Sequence, residues 1–249
     1  MRFTSTRHVD DVIERRFQLG EVPGILWTSR SASSSEPVPL ILAGQPGGSA
    51  GMDRTYSLLL GRAQHASRAG FATATLEPPG SGDRPPLNDV EQARAELRRA
   101  VTAGEPVSDD IVDRLVLPLV DQAVPECLSA LDALLALPEI GDRVGYSGGV
   151  ISIAVRLAAI EPRVSAAVLF AGSFVPTAIM EDARQVEIPL YVLLQWDDDG
   201  NDRQRALDLF DAFGSQEKTL NANMGGHTGV PRHAAEEAMR FFTRHLKSK

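Results

Sequence analysis

The sequence is short of cysteine, of net positive charge and of long apolar runs. A single cysteine, Cys127, among 249 residues excludes an internal disulfide and a metal site built from several cysteines. Cys127 sits in an apolar helical run, which fits a small core residue better than a catalytic thiol. A formal net charge of −8 argues against a general nucleic-acid-binding surface. No apolar run is long enough to span a bilayer, so no membrane partner is expected. The opening residues, Met1-Arg2-Phe3-Thr4-Ser5-Thr6-Arg7-His8, lack the apolar stretch of a signal peptide, and a cytoplasmic location is the expectation. Also missing are a Gly/Ser linker, a charge run and an internal repeat. One domain over residues 1–249 is therefore expected, and a chain this long buries a substantial core without staples. A homo-oligomer is compatible with this composition.

What is present is an alternation. Residues 38–43, 71–76, 164–172 and 188–195 are short apolar runs, the pattern of strands buried on both faces. Between them, residues 56–69, 89–103, 203–213 and 233–246 carry apolar side chains at helical spacing. Such alternation predicts a mostly parallel sheet covered by helices, an α/β fold. Residues 12–19 and 24–28 predict an N-terminal hairpin around a Gly/Pro turn. Residues 85–125 exceed a minimal strand–helix–strand crossover and predict a helical insertion, a lid over one end of the sheet. Within it, Ser108-Asp109-Asp110 reads as a helix cap, and Pro118 and Pro125 predict kinks or breaks.

Three chemistry-bearing features follow in order. The first is Gly145-Tyr146-Ser147-Gly148-Gly149, a Gly-x-Ser-x-Gly motif before an apolar helical run. A sharp glycine turn between strand and helix projects a serine hydroxyl as a nucleophile. The bland reading is a glycine-rich turn without chemistry. The second is Asp197-Asp198-Asp199, ordinarily a solvated loop, but here directly after an apolar strand. Asp198 is favoured as the functional acid, with Asp199 second. The third is His227, flanked by Gly225, Gly226 and Gly229 between the last strand and the last helix. A lone histidine is more often structural, but this placement favours catalysis. The chemistry needs each type: a serine hydroxyl needs a base, histidine moves the proton, and a carboxylate orients the imidazole. His8, His65, His233 and His245 read as solvated. Backbone amides of Gly148 and Gly47 are the candidate oxyanion donors.

On Gly44-Gln45-Pro46-Gly47-Gly48, Glu77-Pro78-Pro79-Gly80-Ser81-Gly82, the Gly145–Gly149 motif, Gln195-Trp196-Asp197-Asp198 and Gly225-Gly226-His227, the chain resembles the α/β-hydrolase superfamily. It is most similar to the dienelactone-hydrolase-like and prolyl-oligopeptidase-like small bacterial esterases, over essentially its whole length. The resemblance implies an eight-stranded, mostly parallel sheet, a Ser147–His227–Asp198 triad with no cofactor or metal, and a small apolar ester-like substrate. Trp196, Phe174 and the lid leucines are candidates for an apolar pocket wall. Two departures stand out. Gln45-Pro46 replaces a usual His-Gly, and proline offers no N–H. The elbow also has alternative registers. If residues 143–148 are the strand, the turn becomes Gly148-Gly149-Val150-Ile151-Ser152 and valine takes the nucleophile position. A third register puts Gly148 there.

Overall fold

The computed structural model describes residues 1–46 and 50–247. Among these residues nine strands form one sheet, in the order β1-β2-β3-β5-β4-β6-β7-β8-β9. Strands β1 (Arg2–Val9), β2 (Val12–Leu19) and β3 (Val22–Ser29) make an antiparallel meander, and β3 pairs antiparallel with β5 (Ala72–Leu76). From β5 onward the sheet is parallel, through β4 (Val38–Gly44), β6 (Ile140–Gly148), β7 (Val164–Phe170), β8 (Leu190–Gln195) and β9 (Lys218–Asn223). The helices are α1 (Met52–Arg68), α2 (Asn88–Ala103), α3 (Asp109–Leu135), α4 (Ile151–Ile160), α5 (Thr177–Ala183), α6 (Arg203–Ala212) and α7 (Arg232–Lys247).

The expected eight strands are thus nine. The extra one, β1, has the sequence RFTSTRHV and only Phe3 and Val9 are even half-buried. An exposed edge strand shows little apolar alternation, so its pairing with β2 carries it. Asp10, at φ 50°, and Asp11 make the tight connection, and Arg7 lies opposite Glu14 and donates to its carboxylate at 2.7 Å.

The larger core packs α3 and α4 on one face, around Leu40, Val144, Leu131 and Leu157. On the other face α7 presents Phe241, Phe242 and Leu246 to Ile41, Ala166 and Val168. Gly145 permits that approach: a Cβ there would stand 2.6 Å from the Phe242 ring. The expected helical stretch holds α2 and the first part of α3, and Ser108 Oγ accepts the Ile111 N–H at 3.4 Å. Pro118 and Pro125 do not break α3, which runs unbroken for 27 residues. A proline inside a helix costs about 3 kcal/mol. Burial of Val112, Val116, Val120, Ala123, Val124, Cys127, Leu131 and Leu134 along one face offsets that cost. Cys127 is buried there, and desolvation, followed by the neighbouring Glu126 charge, pushes its thiol up to about 12.

Candidate active site

Strand β8 ends at Gln195, and the loop after it delivers Asp198 to His227. The His227 Nδ1 to Asp198 Oδ2 distance is 2.7 Å. An ionised carboxylate only accepts, so Nδ1 carries the proton and Nε2 is left as the base. The pair is asymmetric in solvent: the Asp198 side chain is 4% exposed and that of His227 is 73% exposed. The second Asp198 oxygen accepts the Gly200 N–H at 3.1 Å. The imidazole lies edge-on to Phe170, at the end of β7, with centroids 5.6 Å apart.

The neighbouring acids divide the work. Asp197 accepts the Gly225 N–H at 2.8 Å and the Gly226 N–H at 2.9 Å. Those bonds, Gly226 first and Gly225 second, hold the Asp197 carboxyl below the usual aspartate range. Gln195 Nε2 donates to the Gly226 carbonyl at 2.8 Å, and the Trp196 N–H donates to the Asn223 carbonyl at 2.7 Å. The histidine loop and the strand before it are therefore tied to the end of β8 and the acid loop by these four hydrogen bonds besides the Asp198 contact. Sequence reading missed Gln195 and Asp197 as positioning residues; their one signal is the position directly after an apolar strand. Asp199 is exposed, and Asp198 rather than Asp199 is the partner of His227. The loop needs its glycines: Gly225 has φ 137°, and a Cβ on it would meet the Gly229 carbonyl at 2.7 Å.

The elbow is organised differently from the serine-centred register. Ser147 lies inside β6, paired with Ala43 on one side and Val168 on the other. Its backbone is ordinary, whereas Gly148 and Gly149 take φ of 71° and 76°. A Cβ on Gly149 would lie 2.7 Å from Gly44, so strand β4 presses the turn closed. Val150 follows with φ −72° and ψ 113° and caps α4 with no side-chain hydrogen bond. A nucleophile elbow places its nucleophile on the strained residue between strand and helix. Here two glycines carry the positive φ, and Val150 is the first side chain past the turn. Among the described residues no hydrogen bond joins Ser147 to His227. Gly148 ends β6 opposite Gly44, and Gly47 lies outside the described residues. Gln45 is buried and structural: its Nε2 donates to the Leu76 carbonyl and its Oε1 accepts from Thr55.

Of the other histidines, His65 departs from the solvated reading, because its Nε2 is buried with no hydrogen-bond partner. His245 departs too; its side chain is 11% exposed, beside Glu217. Among the described residues no group of three His, Cys, Asp or Glu side chains is arranged to hold a metal ion. No helix among them is long and apolar enough to cross a membrane.

A mostly parallel sheet between two helical layers, with an acid after β8 and a histidine after β9, is the α/β-hydrolase fold. Solved structures bear this out. A cold-adapted esterase from an Arctic intertidal metagenomic library superposes with a TM-score of 0.75 at 23% identity, covering 98% of this chain and 99% of that one. Acetyl xylan esterase 1 from Thermoanaerobacterium has a TM-score of 0.64 at 14% identity, over 98% and 87% of the two chains. Dienelactone hydrolase from Anabaena variabilis has a TM-score of 0.60 at 17% identity, over 94% and 99%. At these identities the likeness is one of fold. No protein-family profile matches the chain, and no curated protein matches it in sequence.

Proposed function

We propose that the protein is an acid–base enzyme acting on a small apolar carbonyl compound, with His227 as the base and Asp198 as its orienting carboxylate. The observation that supports this is the 2.7 Å contact between His227 Nδ1 and Asp198 Oδ2, which frees Nε2 to take a proton. A proton removed from the carbon beside a carbonyl leaves its electron pair on the carbonyl oxygen. The start of α4 suits that oxyanion, because no side chain caps the helix and the first amides of a helix lack intrahelical acceptors. Return of the proton to a different carbon completes an isomerisation. In an elimination the enolate's electron pair expels a group from the β-carbon, which leaves with the proton. In a cyclisation the enolate carbon bonds to a carbonyl carbon of the same molecule, whose oxygen takes the proton. In this reading Val150, which has no hydroxyl, forms part of the site wall, and no acyl-enzyme forms.

A second reading keeps Ser147 as the nucleophile of a Ser147–His227–Asp198 triad, with Gly148 and Gly47 amides as the oxyanion donors and a small ester, lactone or thioester as substrate. Two observations favour it. Ser147 lines the same cavity as Phe170, the residue against which His227 packs. The structural neighbours also include esterases.

Fluorophosphonate treatment followed by intact-mass measurement separates the two. The first reading predicts no adduct on Ser147. It also predicts His227-dependent deuterium uptake beside the carbonyl of small aryl ketones, lowered on the order of 10²-fold or more in His227→Ala. A stoichiometric adduct that disappears in Ser147→Ala transfers the assignment to the second reading.

A further inference from the structure

The face of the sheet covered by α1 and α7 contains a cavity of 470 Å³ that the first reading does not use, and that has Ser147 and Gly148 of the second reading in its wall. Most of its wall is apolar, including Ile41, Val168, Leu193 and Met239. Its charged and titratable side chains among the described residues are Arg62, Arg232 and His65, with no Asp or Glu among them. That is unusual for a chain with 33 acidic against 25 basic residues. Among the described residues neither Arg62 nor Arg232 has an ion-pair or hydrogen-bond partner. His65 Nε2 and Thr73 Oγ1, both in the wall, are buried with no hydrogen-bond partner. Buried polar atoms normally find partners, and leaving one unmade costs about 1–3 kcal/mol. Crowding by neighbours also desolvates the Arg62 guanidinium and lowers its pKa. At the rim, Leu58 and Val230 are 51% and 39% exposed, and Arg62 and Arg232 are exposed beside them, so apolar and cationic side chains share the mouth.

We propose that this cavity is a binding site for a small apolar carboxylate, its head group received by Arg62 and Arg232 and its hydrocarbon body lying along the wall between α1 and α7. A carboxylate matches a guanidinium in shape and charge and accepts two parallel N–H bonds. One arginine comes from the middle of α1 and the other from the start of α7, so the head group bridges two helices that the sheet holds apart. The apolar wall and rim select against inorganic anions, which have nothing to bury there. His227 is absent from the lining, so the site does not require its chemistry, although Ser147 and Gly148 of the second reading share the wall.

Octanoate and octan-1-ol are the probes, compared by isothermal titration calorimetry on the full chain. Octanoate is expected to bind at least about tenfold more tightly than the alcohol, the difference made by charge-assisted hydrogen bonds. Arg62→Gln and Arg232→Gln are each expected to weaken octanoate about tenfold and leave octanol unchanged, with circular dichroism checking that both variants fold. His227→Ala is expected to bind octanoate as the parent does, so loss of His227 chemistry and loss of this site give different results. Equal affinity for acid and alcohol, no octanoate binding, unchanged affinity in both arginine variants, or loss of binding in His227→Ala would each overturn the proposal.

Discussion

At the scale of single residues, Asp198 and Asp197 do different jobs one position apart. Asp198→Asn removes the acceptor that keeps the proton on Nδ1 of His227. The expected result is loss of the downfield Nδ1 proton resonance and a fall in His227-dependent exchange on the order of 10²- to 10⁴-fold. Asp197→Asn leaves that pair in place and loosens the loop, so faster amide exchange at Gly225 and Gly226 is expected. The Asp197 carboxyl is held low by the Gly226 and Gly225 amides. Its tie is therefore complete above the ordinary value of 3.8 and is lost only as pH falls below that and through the lowered value. Amide exchange at Gly226 followed from pH 6 downward, roughly, checks the sign. The Asp198–His227 neighbourhood was legible in the sequence because Asp198 follows an apolar strand, His227 sits in a glycine-rich loop after the last strand, and parallel strands end on one edge of their sheet. The roles of Asp197 and Gln195 were not legible. Both depend on where the Gly225–Gly226 amides and carbonyl arrive from 30 or so residues away, which no local pattern encodes.

At the scale of elements, α3 and the elbow each contradict a local rule. Pro125 is exposed on α3, so replacing it removes little packing. Pro125→Ala should restore a backbone hydrogen bond and raise stability by about 1–2 kcal/mol, after allowing for the more flexible unfolded chain. Thermal unfolding reads this directly, and a lower midpoint would show that the proline ring itself supports the helix. At the elbow, Gly149→Ala meets both a positive φ and a contact of 2.7 Å with Gly44. Destabilisation of about 2 kcal/mol or more is expected, together with altered shifts at Gly44 and Val150. The helices and central strands were legible because apolar spacing differs between periods of 3.6 and 2. Strand β1 was not, since its outward residues are polar and its pairing with β2 has no signature of its own.

At the scale of the whole molecule, the antiparallel end of the sheet is tied to α1 by a buried carboxylate. Glu14 is fully buried and accepts from Trp27 Nε1 at 2.8 Å, Tyr56 Oη at 2.7 Å and Arg7 Nε at 2.7 Å. Burial alone would raise its pKa, but the bonds from Tyr56, Arg7 and Trp27 together hold it below the ordinary 4.5. A depressed folded pKa means this stabilisation is present above 4.5 and lost as pH falls through the lower value. Glu14→Gln should therefore cost about 1–3 kcal/mol near neutral pH and flatten the acid limb of the stability curve. Urea unfolding at two pH values tests both parts. Read without coordinates, the chain already contained its α/β class, the order of its central elements and the loops that carry Asp198 and His227. These follow from local periodicity and from turns that announce themselves in glycine and proline. Folding was needed to show which residue of Gly145–Val150 leads into α4, because the close approach of Gly44, about a hundred positions earlier, sets that register. Folding was likewise needed to show two arginines facing one cavity without a carboxylate, because Arg62 and Arg232 belong to helices at opposite ends of the chain. The same stretch that reads as Gly-x-Ser-x-Gly in one dimension is, in three, a strand that runs through Ser147 to Gly148 and a double-glycine turn that opens onto valine.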